Sequence, residues 1–535
     1  MCAWTRPSTE GFANPGRRVA DSEAVASGVS TWSWPRRSTW IAGVVGTIGM
    51  TLIGWAGATL GPTGPSSSLF GRVDGHAGLF GITIATTVLV AGLVAVFGAW
   101  LFLGLVLRAG ASLRPLIAIA IAWSVPLLLG PPLYSRDVYS YAALGRMTIA
   151  HLNPYVVGPS ALGHSQFVTG VSSAWTHTPS PYGPGFIALC GSLARIAGPS
   201  VTTAVLLLRL VEVAGLALAA ACLPRLAGRA HKDPGRAIWL AICNPFVLVH
   251  CIGGAHNEAI MIGLVLAGLA LADADHHALG VLCCVAAASI KSPAGIAAAF
   301  VILDAARNAA PRQRVVTMAR LGALGAGAFA ALTWLTGLGY GWLNALSVPG
   351  TNRLLLTPTT LVAQLTSDVI AHDTLVLTAT RTVGWLLIGA TTVHLLIRRR
   401  SMGVTRACGL ALAAIVVFGP ILLPWYALWS ILLVAGAGRR IERGVAIFAS
   451  ILLMLTVQPS GSAMPDLWLI ATVLCLAVTI LVMGAPSIRR WIREDLAVAL
   501  DHYRLLDHEG RMLDIPRRAL ARRAPARQVA TRAPS

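Results

Sequence analysis

The sequence predicts an all-α polytopic membrane protein, and three observations carry that prediction. Of its 535 residues, 56% are hydrophobic and only 12% are charged, with a mean hydropathy of +0.71. Soluble domains carry about 25% charged residues. Apolar runs near the roughly 20 residues that cross a bilayer recur along the chain. The arginines behind a formal net charge of +20 sit between those runs and in both tails. That is the positive-inside pattern, with added attraction to anionic lipid heads, and it argues against nucleic acid as a partner.

Residues 1–39 are polar and basic, with Arg6, Arg17, Arg18, Arg36 and Arg37, and read as a disordered cytoplasmic tail. No apolar stretch precedes residue 40, so no cleavable signal peptide is expected. Spans are expected at 40–60, 78–107 and 115–131, with Arg108 and Arg114 marking a return to the cytoplasm. Residues 132–199 are rich in proline, serine, histidine and aromatics, and are read as an outer loop carrying short helices. Within it, Tyr182–Gly198 is apolar enough to cross. A crossing there would put the basic run Arg225–Arg236 outside, so charge assigns an interfacial helix, followed by a span at 200–222.

Spans at 237–252 and 258–273 come next. The apolar stretch 278–304 is interrupted by Lys291-Ser292-Pro293. Two short helices meeting there keep Arg307, Arg312 and Arg314 inside. A span at 316–336 leads to a second outer loop, 337–373, and one at 374–397 ends on Arg398-Arg399-Arg400. Further spans at 404–419, 421–437, 442–457 and 466–485 complete a transmembrane region over 40–486. A basic cytoplasmic tail, 487–535, closes the chain, and both termini are placed inside. The nine cysteines mostly fall in apolar segments, and neither a CxxC pair nor Cys/His spacing indicates a disulfide framework or a zinc site.

The densest chemistry lies at Tyr134-Ser135-Arg136-Asp137-Val138-Tyr139-Ser140-Tyr141, directly after the third apolar run. Few carboxylates fall on the outer face in this topology: Asp74, Asp137, Glu258, Asp368, Asp373 and Asp466. Asp137 reads as a general base on an acceptor hydroxyl, or as a ligand for a cation bridging phosphate. The bland alternative is an N-cap paired with Arg136. Asn153-Pro154-Tyr155 and Thr178-Pro179-Ser180-Pro181-Tyr182-Gly183-Pro184 are proline-stiffened aromatic segments suited to sugar faces, or simply a packed loop. His256-Asn257-Glu258 is a polar cluster at a helix end that suits phosphate or sugar hydroxyls. Lys291 is a cation inside an apolar stretch and needs a partner: a phosphodiester oxygen, or a carboxylate such as Glu258. Arg209 and Glu212, three apart in one span, read as an internal ion pair. Arg353 is a weaker phosphate candidate, and Pro424-Trp425-Tyr426 reads as aromatic-belt packing.

These motifs, in this order, resemble the polyprenyl-phosphomannose-dependent α-(1→6)-mannosyltransferases of mycobacteria and corynebacteria, which are multi-spanning GT-C glycosyltransferases. The resemblance rests on Tyr134–Tyr141, Thr178–Pro184, Gly254-Ala255-His256-Asn257-Glu258 and the Lys291–Pro293 break. It implies a GT-C-type bundle of about 12–14 transmembrane helices, with Asp137 as the catalytic aspartate of an early outer loop. It further implies a polyprenyl-phosphate-mannose donor and a mannan glycolipid acceptor of the lipomannan and lipoarabinomannan core, at the outer face of the cell membrane. The family holds two paralogous activities, on the proximal and distal mannan, which these motifs do not separate. Arg136, Tyr139, Tyr141, Tyr182, His256, Asn257, Glu258, Lys291 and Arg353 are the candidate donor-phosphate and sugar contacts. No P-loop or dinucleotide fingerprint is present, so no nucleotide site is expected. No cofactor is required by the sequence, and a divalent cation is compatible with it. The competing reading is a lipid-linked sugar flippase or transporter, which broken helices and a buried lysine also fit.

Overall fold

The computed structural model describes residues 37–71, 78–347, 357–367 and 373–461. Arg353, Asp74, Asp368, His372, Asp466, the span expected at 466–485 and nearly all of both tails lie outside the described residues. Among the described residues every regular element is a helix, as the hydropathy pattern predicts.

Helices α1 (Arg37–Leu60), α2 (Leu79–Val106) and α3 (Leu113–Leu129) open the bundle. Helix α4 (Asp137–Ile149) follows α3 after a short turn, and α5 (Pro184–Ala197) packs against it. At 14 residues α5 is about 21 Å long at 1.5 Å per residue. That is short of the roughly 30 Å hydrocarbon core. Next come α6 (Val201–Arg229), α7 (Pro234–Ala241) and α8 (Pro245–Leu248), which runs on as a π-helical turn, Val249–Gly253. Then come α9 (Glu258–Asp273), α10 (His277–Ala288), α11 (Ile296–Ala305) and α12 (Pro311–Leu335). The longer helices that follow are α13 (Pro358–Ser367), α14 (Asp373–Met402), α15 (Val404–Phe418), α16 (Leu428–Ala437) and α17 (Arg440–Met454).

Among the described residues, five helices are long and apolar enough to cross a membrane: α1, α2, α6, α12 and α14, the last over Thr374–Met402. The pair Pro234–Ala241 and Pro245–Gly253, bent by 49°, makes six. This is fewer than the 12–14 crossings expected. The other expected spans fall on shorter helices, such as α3, α10, α15 and Pro424–Ala437, or outside the described residues. Proline and polar breaks cut these segments below spanning length. The protein is nonetheless a multi-pass membrane protein.

Close helix approach in the middle of the bundle comes from missing side chains. A Cβ on Gly215 of α6 would lie 2.3 Å from the Ile260 nitrogen of α9, and one on Gly263 would lie 2.5 Å from the Gly215 carbonyl. Small residues at such contacts let backbones pack in lipid, where no hydrophobic force drives helices together. The closeness lets the Glu212 carboxylate accept from the amides of Ala259 (3.0 Å) and Ile260 (3.3 Å), capping α9.

Arg209 and Glu212 therefore do not form the expected ion pair. Arg209 donates to the carbonyls of Leu128 (3.1 Å), Gly130 (2.6 Å) and Gly253 (3.0 Å). The open backbone groups at the ends of α3, the π-helical turn and α9 outcompete the i,i+3 pairing. A double-mutant cycle of Arg209→Met and Glu212→Gln, read by thermal unfolding in detergent, is expected to give a coupling below about 0.5 kcal/mol. A direct buried ion pair would give several times more.

Candidate active site

The site forms where the N-termini of α4 and α9 meet the break between α10 and α11. Each contributes for a local reason. The α3 run ends at Gly130-Pro131-Pro132, and proline restricts both itself and its predecessor. The chain then turns through Tyr134, held at a positive φ of 61°. The Tyr134 amide donates to the Pro459 carbonyl (2.8 Å), and that of Leu133 to Gly253 (3.1 Å). Asp137 begins α4, its amide bonded to the Ser135 hydroxyl (2.9 Å). Ala255, with φ 52°, turns the chain into α9 in the same way. Left-handed geometry costs a non-glycine residue about 1–2 kcal/mol, and such strain clusters at functional sites.

Asp137 is 9% exposed and its carboxylate opens onto a cavity of about 130 Å³. Its Oδ2 stands 3.4 Å from Nδ1 of His256, so the cap paired with Arg136 does not form. His256 is fully buried and stacks on Trp425, with centroids 3.8 Å apart and planes 19° from parallel. Lys291 lines the same cavity. Its ammonium pairs with Oε1 of the fully buried Glu258. Three rings surround it: Tyr426 at 4.9 Å, Tyr182 at 5.6 Å and Trp429 at 6.0 Å. The carboxylate of the first outer loop and the cation of the helix break thus share one chamber. Ser292, Pro293, Trp175 and Trp385 complete much of its wall.

Tyr182 reaches the chamber because the break at Lys291 leaves carbonyls just past the end of α10 free. The Gly183 amide donates to Ile290 (3.0 Å) and that of Phe186 to Ser289 (3.1 Å). The Asn153–Tyr155 segment locks the other side, with Tyr155 Oη donating to the Tyr182 carbonyl (2.9 Å). Burial, then the negative charge of Asp137, holds the Tyr182 phenol well above its ordinary pKa. It stays protonated and donates to the Tyr141 hydroxyl (3.3 Å). A Cβ on Gly183 would sit 2.3 Å from the Ser289 carbonyl oxygen. Gly183→Ala is therefore expected to cost about 1–3 kcal/mol as the loop is forced off the break, seen as a lowered unfolding temperature.

The ten residues singled out from sequence divide as follows. Asp137, Tyr182 and Lys291 line the chamber. His256 and Glu258 stand directly behind the first and last of these, and Tyr141 behind the second. Asn257 is fully buried, and neither its amide nitrogen nor its oxygen has a hydrogen-bond partner. Tyr139 turns away to the Ser66 hydroxyl (2.7 Å), and Arg136 to Thr63 (3.1 Å). Arg353 falls outside the described residues. Trp425 and Tyr426 are not belt residues: the turn Pro424–Ala427 carries them inward, Trp425 onto His256 and Tyr426 into the chamber. Sequence reading missed these two and Trp429. The Pro-Trp-Tyr corner was their only signal. Among the described residues no group of three His, Cys, Asp or Glu side chains is placed to hold a metal ion.

Comparison with known proteins gives this chamber its context. Residues 41–307 match the profile of the alpha-(1->6)-mannopyranosyltransferase N-terminal domain, and residues 355–485 that of the MptB C-terminal domain. The chain belongs to the alpha-(1->6)-mannopyranosyltransferase family. A probable alpha-(1->6)-mannopyranosyltransferase of Mycolicibacterium smegmatis is 32% identical over 76% of this chain and 81% of its own. Alpha-(1->6)-mannopyranosyltransferase A of Mycobacterium tuberculosis is 33% identical over 76% and 83%. The protein of that name from Corynebacterium glutamicum is 28% identical over 81% and 94%. Membership makes this chain a glycosyltransferase that transfers mannose from a sugar donor to an acceptor. Every residue of the chamber before Arg307 lies within the first matched region.

Proposed function

We propose that this mannosyltransferase takes mannose from a polyprenyl-phosphate-mannose donor and adds it to an α-(1→6)-mannan glycolipid, at the outer face of the plasma membrane. The observation that carries the reading is the shared chamber of Asp137 and Lys291. Transfer from a phosphate-linked sugar needs a base for the incoming hydroxyl and a cation for the departing phosphate.

In this reading the phosphate of the donor lies against Lys291 and the mannosyl ring lies between it and Asp137. Asp137 takes the proton of the acceptor hydroxyl as the new bond forms at the anomeric carbon. The bond from that carbon to the phosphate oxygen breaks, and its electron pair leaves on the polyprenyl phosphate. One in-line displacement inverts a β-linked donor to an α product. The N-termini of α4 and α9 add positive potential at the chamber. His256 and Glu258 are positioning residues, the first orienting Asp137 against Trp425 and the second fixing Lys291. The rings of Trp175, Tyr182 and Trp429 keep water from the donor.

Support also comes from polar atoms the fold leaves unpaired. Nε2 of His256, Oε2 of Glu258 and both amide atoms of Asn257 are buried without partners. Each such group costs about 1–3 kcal/mol. A cluster kept at that cost fits a functional role better than a packing one. The test is an assay of sealed membranes with polyprenyl-phosphate-mannose and a short α-(1→6)-mannoside. Growth of the mannoside by one unit supports the proposal. Movement of the lipid without elongation would favour a transporter.

A further inference from the structure

The chamber that holds Asp137 is not the only cavity among the described residues. A second cavity, of about 570 Å³, opens where α6, α9, α11, α14, α15 and α16 reach the other end of the bundle. Asp273 on its wall is 15 residues along α9 from Glu258, about 22 Å away by helix rise. We propose that this cavity binds the phosphodiester headgroup of an anionic phospholipid, best a lipid carrying two phosphates.

Its charge is the first argument. Seven cationic side chains line it against two carboxylates, Asp273 and Asp304. Asp273 is taken by Arg225 and Arg229, Asp304 by Arg307, and Arg406 pairs with Glu442 nearby. Lys232, Arg399 and Arg400 make no ion pair with any described carboxylate. Lys232 is one of two lysines in the chain, and the other is Lys291.

The second argument is that two of these cations, Arg399 and Arg400, are already fixed. Arg399 donates to the carbonyls of Leu396 (2.6 Å) and Leu303 (2.9 Å), and Arg400 to that of Arg307. Carbonyls hold a guanidinium in place without cancelling its charge. The Nε of Arg399 is buried and has no partner. An oriented, uncompensated group of this kind suits phosphate oxygens.

The third argument selects a lipid over a soluble anion. Val393, Ile397 and Arg400 fall at i, i+4 and i+7 on one stripe of α14. Val393 is 56% exposed and Ile397 is 71% exposed. Leu226, Leu269 and Met402 add apolar wall inside the cavity. Acyl chains on that stripe would place a headgroup at the arginines. Basic pockets between membrane helices bind such headgroups.

The test uses the full-length protein in neutral detergent and reads lipid retention by native mass spectrometry and affinity by titration. Diphosphatidylglycerol is expected to be retained and dioleoyl phosphatidylcholine to be lost. Charge loss in the double variant Lys232→Gln/Arg400→Gln, at roughly 1 kcal/mol per cation, should weaken diphosphatidylglycerol about thirty-fold. Its mannosyl transfer in neutral detergent should not change. The exposed pair Arg108→Gln/Arg312→Gln, outside the cavity, removes equal charge and should leave affinity intact. Equal loss in both double variants would overturn the proposal by showing a diffuse surface effect. So would equal retention of the two lipids. Tight binding of free pyrophosphate that excludes the lipid would replace the lipid with a soluble anion.

Discussion

Asp137→Asn is expected to lower the rate of mannosyl transfer about 10²–10⁴-fold, the usual contribution of a positioned base. The amide keeps the size of the side chain and its place against His256 at 3.4 Å. It cannot accept the hydroxyl proton. Donor binding should survive, because the phosphate contact proposed here lies at Lys291. The signature is a drop in kcat with little change in KM for the donor, since the lost interaction exists only in the transition state. A matching rise in KM with unchanged kcat would make Asp137 a binding residue instead.

The second large effect is at Lys291. Lys291→Met leaves the carboxylate of Glu258, which is fully buried, without its ammonium. Breaking a buried pair from one side costs about 3–5 kcal/mol. Lower thermal stability in detergent and loss of transfer are both expected. Adding Glu258→Gln removes the stranded charge and should recover most of the stability. Transfer should stay absent, because the cation for the leaving phosphate is still missing. If the double variant regained transfer, Lys291 would serve only to neutralise Glu258.

The parts of the site legible in the sequence were those that are costly in lipid. Asp137, Glu258 and Lys291 stand out because a charge beside apolar runs needs a reason, and all three meet around one chamber. The break at Lys291–Pro293 was legible because proline ends helices, and α10 and α11 do separate there. Contiguity with Asp137 was a poor guide. Along α4, Tyr141 at i+4 shares the face of Asp137, whereas Tyr139 at i+2 points to the opposite side and finds Ser66. The i,i+3 spacing of Arg209 and Glu212 misled for a related reason. Spacing within one helix says nothing about backbone groups that other helices bring within reach. Trp425, Tyr426 and Trp429 were hidden because an aromatic at a helix end reads the same whether it faces lipid headgroups or a cavity. Only tertiary packing on His256 and Lys291 tells them apart.

The most direct measurement of the central claim is a structure of the protein with a non-transferable donor, a mannosyl C-phosphonate on a short isoprenoid. The account predicts the phosphonate within hydrogen-bonding reach of Lys291 and the anomeric carbon facing the cleft between it and Asp137. A phosphonate bound away from Lys291, or a mannosyl ring out of reach of Asp137, would contradict it.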